Sequence, residues 1–330
     1  MRTGRGLGHA KLIAVGEHWV LDGAQALALA LPAMAVRVEL CLTADSEEVS
    51  VLSEDSGTVL TEVALAGAAA MATLALRQAG WPSGAQVQVA SQVPLRRGLG
   101  SSAALAVALV RAVDAALGRS PADPEQVGAR AKDLEDLIHG RSSGLDPAAA
   151  ASGSGGVLFR QGSVVRRVAR VHPGLCQVRW LLVDLGHGRP TREAIELASS
   201  RRAAMPPQMR HALAAATSSA AVGAAEALET GDLASLAAAL QAAGQVLEPL
   251  GIVDDGMQLC IEQALLAGAL AAKQTGAGLG GVIVALCANA AVAERVAAAC
   301  RSACATACGH WIVPVAVDGD VVAQVTLPLA

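Results

Sequence analysis

Aromatic side chains are almost absent from this chain: its 330 residues include one Phe, four Trp and no Tyr. Apolar residues still make up 53% of the sequence, so the core has to be built from Ala, Leu and Val, whose small side chains must pack closely. Alanine also favours helix. The composition therefore predicts a well-packed, helix-rich protein, and its length exceeds one typical core, which predicts two domains.

Charge and composition argue against several classes of function. The formal net charge is −4 and is spread along the chain, so no basic face for nucleic acid is visible. The scarcity of aromatics argues against base stacking and against an aromatic membrane belt. Apolar stretches are interrupted well short of the roughly 18–20 residues that span a membrane. The seven Cys form no regular framework, which favours a reducing, cytoplasmic location.

Three of the cysteines, Cys300, Cys304 and Cys308, recur every four residues and would share one helical face, with His310 close by. One interpretation of this spacing is a metal site. We prefer the alternative that these are small apolar residues buried in an Ala-rich helix, because cysteine is commonly buried as a small hydrophobe.

Predicted strands and helices are mixed without a regular βαβ period, which favours an α+β fold. A strongly apolar strand over 176–185 marks the start of a second domain, giving domains 1–175 and 176–330. Residues 45–58 are expected to form a loop or hairpin. Helices are predicted over 60–79, 102–117, 124–140, 191–201, 207–230, 232–248, 255–273 and 290–308, and terminal strands within 311–327.

The first candidate site is PLRRGLGSSAA, residues 94–104. A strand ends, glycines permit tight turns, and two serines open an apolar helix. The free N–H groups and the dipole of a helix start favour an anion such as phosphate. The serine hydroxyls can cap the helix or bind a metal. It is not a Walker loop, because no Lys precedes the serine pair.

The second candidate, Gly276 to Gly281, satisfies G-x-G-x-x-G but not its context. A dinucleotide fold needs strand, loop and helix in that order, whereas here a helix is expected before the loop and a strand after it. Glycines still let the backbone approach another group closely. We expect that group to be the phosphate loop or the substrate.

The third candidate pairs two carboxylates from separate elements, Glu135 on a helix and Asp146 after the turn Ser143-Gly144. Such a pair suits metal ligation and proton handling. Each residue alone has an ordinary alternative, a solvated helix residue and a turn former. His139, on the same helix, is interpreted as a helix C-terminal residue that interacts with the dipole, and His187 as simply exposed.

These segments resemble the GHMP small-molecule kinases, and their order along the chain matches as well. The resemblance rests on KLIAVGEHWVLDGAQALAL (11–29), PLRRGLGSSAA (94–104), EDLIHGRSSGLDPAAAASGSGG (135–156), GRPT (188–191) and KQTGAGLGG (273–281). Within the superfamily the best match is the branch that phosphorylates mevalonate. The resemblance implies a two-domain α+β GHMP kinase fold with the active site in the cleft between the domains, 1–175 binding ATP and magnesium.

The resemblance also implies roles for individual residues in an ATP-dependent transfer to the 5-hydroxyl of mevalonate. Magnesium would be held by Ser102 and Glu135. Asp146 would accept or orient the hydroxyl proton, and Lys11 would pair with Asp146 and the transferred phosphoryl group. The ATP phosphates would lie on Pro94, Arg97, Gly98, Leu99, Gly100, Ser101, Ser102 and Ala103.

Substrate contacts are implied for Glu17, His18, Arg189, Thr191, Gly276, Ala277 and Gly278, with Arg189 facing the carboxylate because its fork binds two oxygens. Arg189 and Thr191 could instead be a helix-start residue and its cap. The rival functions are phosphomevalonate kinase, homoserine kinase and a metabolite sensor that binds ATP without turnover. No nucleic-acid or membrane partner is expected, and a homodimer is left open.

Overall fold

The computed structural model describes residues 2–54, 60–140, 142–153, 155–189, 191–304, 307 and 309–315. The chain divides into two compact units, the first formed by Met1–Lys11 and Ala30–Gly153 and the second by Leu12–Leu29 and Ser154–Ala330. The predicted boundary at 175/176 falls inside the second unit. One reason is that strand 156–160 pairs with residues 26–29, so it lies with a segment that also belongs to the second unit.

Eight strands and helices lie before residue 154, where the longer segment of the second unit begins. Two of them, β1 and β2, run from one unit into the other. In chain order they are β1 (Arg2–Val15), β2 (Ala26–Leu42), β3 (Val49–Ser53), α1 (Glu62–Gln78), β4 (Ala85–Ser91), α2 (Ser101–Ala116), α3 (Pro124–His139) and α4 (Leu145–Ala151). The helices predicted at 60–79, 102–117 and 124–140 are confirmed to within two residues at each end. Strand β3 lies where a loop or hairpin was expected, and it pairs parallel with β4.

The sheet of the first unit is mixed. Strand β4 pairs antiparallel with β2 over Val36–Leu42 and parallel with β3, and β1 also pairs with β2. Burial alternates only in the last part of β2, where Val36 and Val38 are buried and Arg37 is exposed. This period of two is the pattern of a strand with one buried face.

Three glycines bring the backbone of β1 directly against α2. A Cβ atom built on Gly4, Gly6 or Gly8 would lie 2.1, 1.9 or 1.9 Å from a helix carbonyl oxygen. Those carbonyls belong to Ala112, Ala108 and Ala104, four residues apart. The glycines share one face of the strand and the alanines one face of the helix. Residues without bulk on both sides therefore fix the distance between β1 and α2.

The second unit contains the remaining strands and helices. In chain order they are β5 (Gly156–Arg160), β6 (Ser163–Val168), β7 (Arg179–Gly188), α5 (Thr191–Ala204), α6 (Pro207–Thr230), α7 (Leu233–Gln245), α8 (Asp255–Leu266), β8 (Ala271–Thr275), β9 (Gly280–Cys287), α9 (Ala290–Ala303) and β10 (Gly309–Pro314). Strands β10, β7, β9 and β8 form an antiparallel sheet in that order.

Two helices end at least five residues earlier than predicted. The helix predicted over 255–273 ends at Leu266, and Ala271–Thr275 is a strand. The glycine loop after it therefore joins two antiparallel strands, which still excludes the strand–loop–helix order of a dinucleotide site. The helix predicted over 290–308 ends at Ala303. Cys308 and the predicted strand residues 316–327 lie outside the described residues.

Buried cysteines belong to the core of the second unit. Cys260, Cys287, Cys300 and Cys304 lie in one apolar cluster with residues of β7, β9, α8 and α9. Burial raises the pKa of the Cys287 thiol to about 12. In the described ranges, no group of three or more His, Cys, Asp or Glu side chains is placed to hold a metal. Cys300 and Cys304 are buried in this apolar core, as the packing interpretation expects.

The helices of the described ranges were also compared with the length and hydropathy that a bilayer requires. Not one of them is both long and apolar enough to cross a membrane.

Candidate active site

The first glycine-rich segment ends at the start of α2. Gly98 and Gly100 have φ angles of 72° and 73°, the left-handed region that favours glycine. Gly100 is the residue before the helix, and the backbone N–H of Lys11 donates to the carbonyl of Leu99 at 2.9 Å. The loop is thereby fastened to β1, and the first N–H groups of α2 form a site suited to an anion.

Lys11 runs along this turn towards Asp146. A Cβ on Gly100 would lie 2.7 Å from Cγ of Lys11. The lysine side chain therefore occupies the space that a side chain at position 100 would need. Its Nζ lies 3.0 Å from Oδ2 of Asp146. The lysine side chain is 3% exposed and that of the aspartate 32%. The predicted Lys11–Asp146 pair is therefore present, with the ammonium buried and the carboxylate reaching solvent.

Asp146 owes its position to α4 rather than to a flexible loop. Gly144, at φ 85°, precedes the helix, and Asp146 lies in its first turn. A Cβ on Gly128 of α3 would lie 3.3 Å from the Cα of Ala148 in α4. This close approach of the two helices brings the carboxylate of α4 near that of Glu135 in α3.

Ser102, in the first turn of α2, joins two side chains of α3. Its hydroxyl donates to Oε1 of Glu135 at 3.1 Å, and its Oγ also lies 3.1 Å from Nε2 of His139. Glu135 and His139 are four residues apart and share a helix face. Gly100 rather than a serine caps α2, so the hydroxyl of Ser102 is directed to Glu135 and His139.

Burial of the carboxyl group and, next in size, the nearby charge of Asp146 together raise the pKa of Glu135 to about 7. The hydrogen bond from Ser102 and the charge of Lys11 act in the opposite direction. A carboxylate and a hydroxyl oxygen are hard ligands of the kind that Mg²⁺ prefers, and Mg²⁺ usually takes only one or two carboxylates beside phosphate oxygens. Glu135 and Ser102 therefore fit magnesium, and a cation would offset the unfavourable burial of the charge.

In the second unit, the buried Glu17 forms an ion pair with Lys273 of β8. Both side chains are almost inaccessible, at 2% and 0% exposed. Glu17 was predicted to contact substrate, and the structure places its carboxylate on this lysine. Lys273 itself was not identified from the sequence, because residues 271–273 were assigned to a helix.

His18 adopts a left-handed conformation with φ 60°. Its Nε2 lies 2.9 Å from the carbonyl oxygen of Ala277 and must donate, because a carbonyl only accepts. Burial lowers the pKa of His18 to about 4, so the ring is neutral at pH 7. His18 and Ala277, both predicted substrate contacts, therefore touch each other.

Arg202 of α5, a residue that the sequence did not single out, fixes this turn. It donates to the carbonyl of His18 and lies 3.0 Å from Oδ2 of Asp22. The indole N–H of Trp19 donates to the carbonyl of Val246 at 2.9 Å. An otherwise strained turn is therefore held by bonds from separate helices.

The second glycine loop packs against its own unit. A Cβ on Gly278 would lie 2.5 Å from the carbonyl oxygen of Ile252, and one on Gly280 would lie 2.7 Å from the Cα of Gly188. Gly276 and Gly278 have φ angles of 84° and 89°. The close approaches of Gly278 and Gly280 are thus made to neighbouring backbone of the second unit.

The segment after β7 carries the predicted Arg189 and Thr191. The N–H of Arg189 donates to the carbonyl of Leu279 at 3.0 Å, while its side chain is exposed and lies 3.9 Å from Glu193. Thr191 is the first residue of α5. His187, expected to be simply exposed, lies with Nε2 3.2 Å from Asp254.

The structure therefore assembles the predicted phosphoryl-transfer groups within the first unit: Lys11, Ser102, Glu135 and Asp146. In the second unit it brings together Glu17 with Lys273 and His18 with Ala277. His139 could have been found from its spacing to Glu135. The roles of Lys273 and Arg202 depend on contacts over long sequence distances.

The family model for the GHMP kinase N-terminal domain matches residues 64–154, and the model for the GHMP kinase C-terminal domain matches residues 224–306. The mevalonate kinase of Aeropyrum pernix is 31% identical over 86% of this chain and 89% of its own length. The mevalonate kinase of Pyrococcus furiosus is 30% identical over 62% of this chain and 60% of its own length. The chain belongs to the GHMP kinase family.

A solved structure gives the same result for the fold. The L. major mevalonate kinase, crystallised with R-mevalonate, superposes with a TM-score of 0.78 at 24% identity and covers 95% of this chain and 97% of its own. The expected α+β GHMP kinase fold is confirmed. By its sequence the chain groups with the mevalonate kinases, so the expectation of a phosphotransferase enzyme is confirmed as well.

Proposed function

We propose that the chain transfers the terminal phosphoryl group of ATP to the 5-hydroxyl of mevalonate, with magnesium as the metal. One observation carries the proposal: a buried ammonium, a partly exposed carboxylate and a hydroxyl–carboxyl pair lie together at the glycine-capped start of one helix. Phosphoryl transfer requires positioning and electrostatic stabilisation more than covalent chemistry. These groups supply both.

Each group has a separate task. The N–H groups at the start of α2 and the loop from Pro94 to Ala103 bind phosphate oxygens. Ser102 and Glu135 would hold magnesium, which would supply positive charge beside the phosphates. Asp146 accepts or orients the proton of the alcohol, and Lys11 fixes Asp146 while presenting its ammonium to the transferred group.

For the second unit we propose contacts to the alcohol. His18 is a neutral ring held in one orientation by its bond to Ala277, so its Nδ1 can accept a hydrogen bond but the ring carries no charge. Arg189 has an exposed guanidinium that can bind a carboxylate through two parallel bonds. Thr191 and the backbone of Gly276–Gly278 are proposed as further contacts. Glu17, which precedes His18 in the chain, is proposed as a further contact whose carboxylate is positioned by Lys273.

The choice of mevalonate as the alcohol is supported by relatives that are mevalonate kinases. A panel of alcohols tests it directly. The purified protein is incubated with ATP and magnesium plus mevalonate, phosphomevalonate, homoserine or galactose, and ADP release is measured with phosphate-product identification. We expect turnover with mevalonate. Preference for another member would reassign the substrate, and turnover with none would favour a nucleotide-binding sensor.

A further inference from the structure

His139 is a side chain at this site to which the proposed reaction assigns no task. It ends α3, and its Nε2 lies 3.1 Å from the hydroxyl oxygen of Ser102. A histidine there would be expected to interact with the helix dipole. The ring instead contacts the hydroxyl of a residue on another helix, α2, which indicates a role in addition to any interaction with the dipole.

The hydroxyl of Ser102 has one proton and two lone pairs. In the structure that proton is donated to Oε1 of Glu135. If both oxygens turned lone pairs towards one cation, the proton could not remain between them. Nε2 of His139 is at hydrogen-bond distance from Ser102 Oγ and accepts a proton when the other ring nitrogen carries the ring hydrogen.

We infer that His139 is a positioning residue for magnesium: it takes over the hydrogen bond from Ser102, so that Ser102 and Glu135 face the metal together. The inference rests on the proposed magnesium role of those two residues. Removing a group that orients a metal ligand in this way commonly weakens metal binding strongly. His139 would act through Ser102 and would touch neither the alcohol nor the phosphates.

Metal binding tests this without turnover. Mn²⁺ replaces Mg²⁺, and free Mn²⁺ is followed by electron paramagnetic resonance in the presence of a non-hydrolysable ATP analogue at fixed pH. We expect His139→Ala to weaken Mn²⁺ binding about 10-fold or more, with nucleotide binding in the absence of metal unchanged. His211→Ala is the matched control, because His211 is an exposed histidine of α6 and has no proposed role.

Two substitutions separate positioning from a helix-dipole effect. His139→Gln presents an amide oxygen that can accept from Ser102, so it should recover most of the affinity. His139→Lys places a positive charge at the helix end but cannot accept a hydrogen bond, so it should weaken Mn²⁺ binding as much as His139→Ala does. Full recovery by lysine, or unchanged affinity in His139→Ala, would overturn the inference.

A double variant tests the route through Ser102. In a Ser102→Ala background, His139→Ala should have almost no additional effect, because the hydroxyl that it orients is gone. An undiminished effect there would show that His139 acts elsewhere and would overturn the inference. Wild-type protein that binds no Mn²⁺ with the analogue would refute both this inference and the proposed metal site. Intact metal binding with no alcohol phosphorylated would refute only the substrate assignment.

Discussion

The side-chain nitrogen of Lys11 lies 3.0 Å from Oδ2 of Asp146, and the two side chains differ sharply in exposure, at 3% and 32%. The buried ammonium is fixed by the turn at Gly100, whose missing side chain leaves it room. The carboxylate is therefore held from one side by a rigid partner and is open on the other. A group that must meet an incoming alcohol needs this combination of fixed position and access.

Replacing Asp146 by asparagine should separate chemistry from binding. The amide has the same shape but cannot take a proton, so kcat should fall by about 10²–10⁴-fold. The dissociation constant of the ATP analogue should stay near the wild-type value. Asp45→Asn, at an exposed carboxylate, should leave both quantities unchanged. Wild-type turnover in Asp146→Asn would remove this residue from the mechanism.

Glu135 should make stability depend on pH when no divalent metal is present. Burial, reinforced by Asp146, raises its pKa from 4.5 to about 7. Between those values the folded protein keeps a proton that the unfolded chain has released, so this contribution to the free energy of unfolding declines as pH rises through that interval.

Glu135→Gln removes the titration, and urea unfolding at pH 5 and pH 8 measures the difference. Relative to the variant, the wild type should lose on the order of a few kcal/mol over this range. Glu47→Gln, an exposed control, should show no such difference. Magnesium with the ATP analogue at pH 8 should stabilise the wild type more than Glu135→Gln. Parallel pH curves for the wild type and Glu135→Gln would contradict the buried-carboxyl assignment.

Two glycine substitutions isolate the contact with Lys11. Gly100 and Gly118 have similar φ angles, 73° and 69°, but a Cβ meets Lys11 at Gly100 and has nothing within 4 Å at Gly118. Alanine at either position should lower stability by about 1–2 kcal/mol for the backbone conformation.

Only Gly100→Ala should also displace the ammonium and reduce kcat, by about 10²-fold for a shift near 1 Å. Steady-state kinetics with thermal unfolding of both variants provide the comparison. Equal kcat values in Gly100→Ala and Gly118→Ala would show that the passage of Lys11 along Gly100 is unimportant.

Removing one partner of the buried pair between Glu17 and Lys273 should be strongly destabilising. Lys273→Met leaves the carboxylate of Glu17 buried beside an apolar chain, which should lower stability by about 3–5 kcal/mol. Adding Glu17→Gln should recover part of the loss, because the stranded charge is then absent.

Arg5→Met is the control, since Arg5 pairs with Glu39 while 83% exposed, and exposed pairs contribute about 0–1 kcal/mol. Chemical denaturation of the four proteins measures these differences. A loss in Lys273→Met no greater than that in Arg5→Met would contradict the description of a buried, coupled pair.

Local patterns in the sequence predicted much of the first unit. The strand before Pro94, the glycine turns and the helix after Ser101 follow from periodicity and backbone preferences that act over a few residues. The spacing of Glu135 and His139 places them on one helix face, although only the structure showed that Ser102 meets both. The resemblance to the GHMP kinases rested on the same local segments, and it predicted the Lys11–Asp146 pair.

What the sequence determined by itself was therefore the local conformations and the residue types available for chemistry. The tertiary structure decided that Gly4, Gly6 and Gly8 lie against α2, that Ala271–Thr275 is a strand, and that Lys273 meets Glu17 across a separation of 256 residues. Such contacts depend on chain segments that are remote in sequence, and a lysine in an apolar run carries no local mark of its partner. Burial, which sets the strength of these charges, exists only once those segments have packed together.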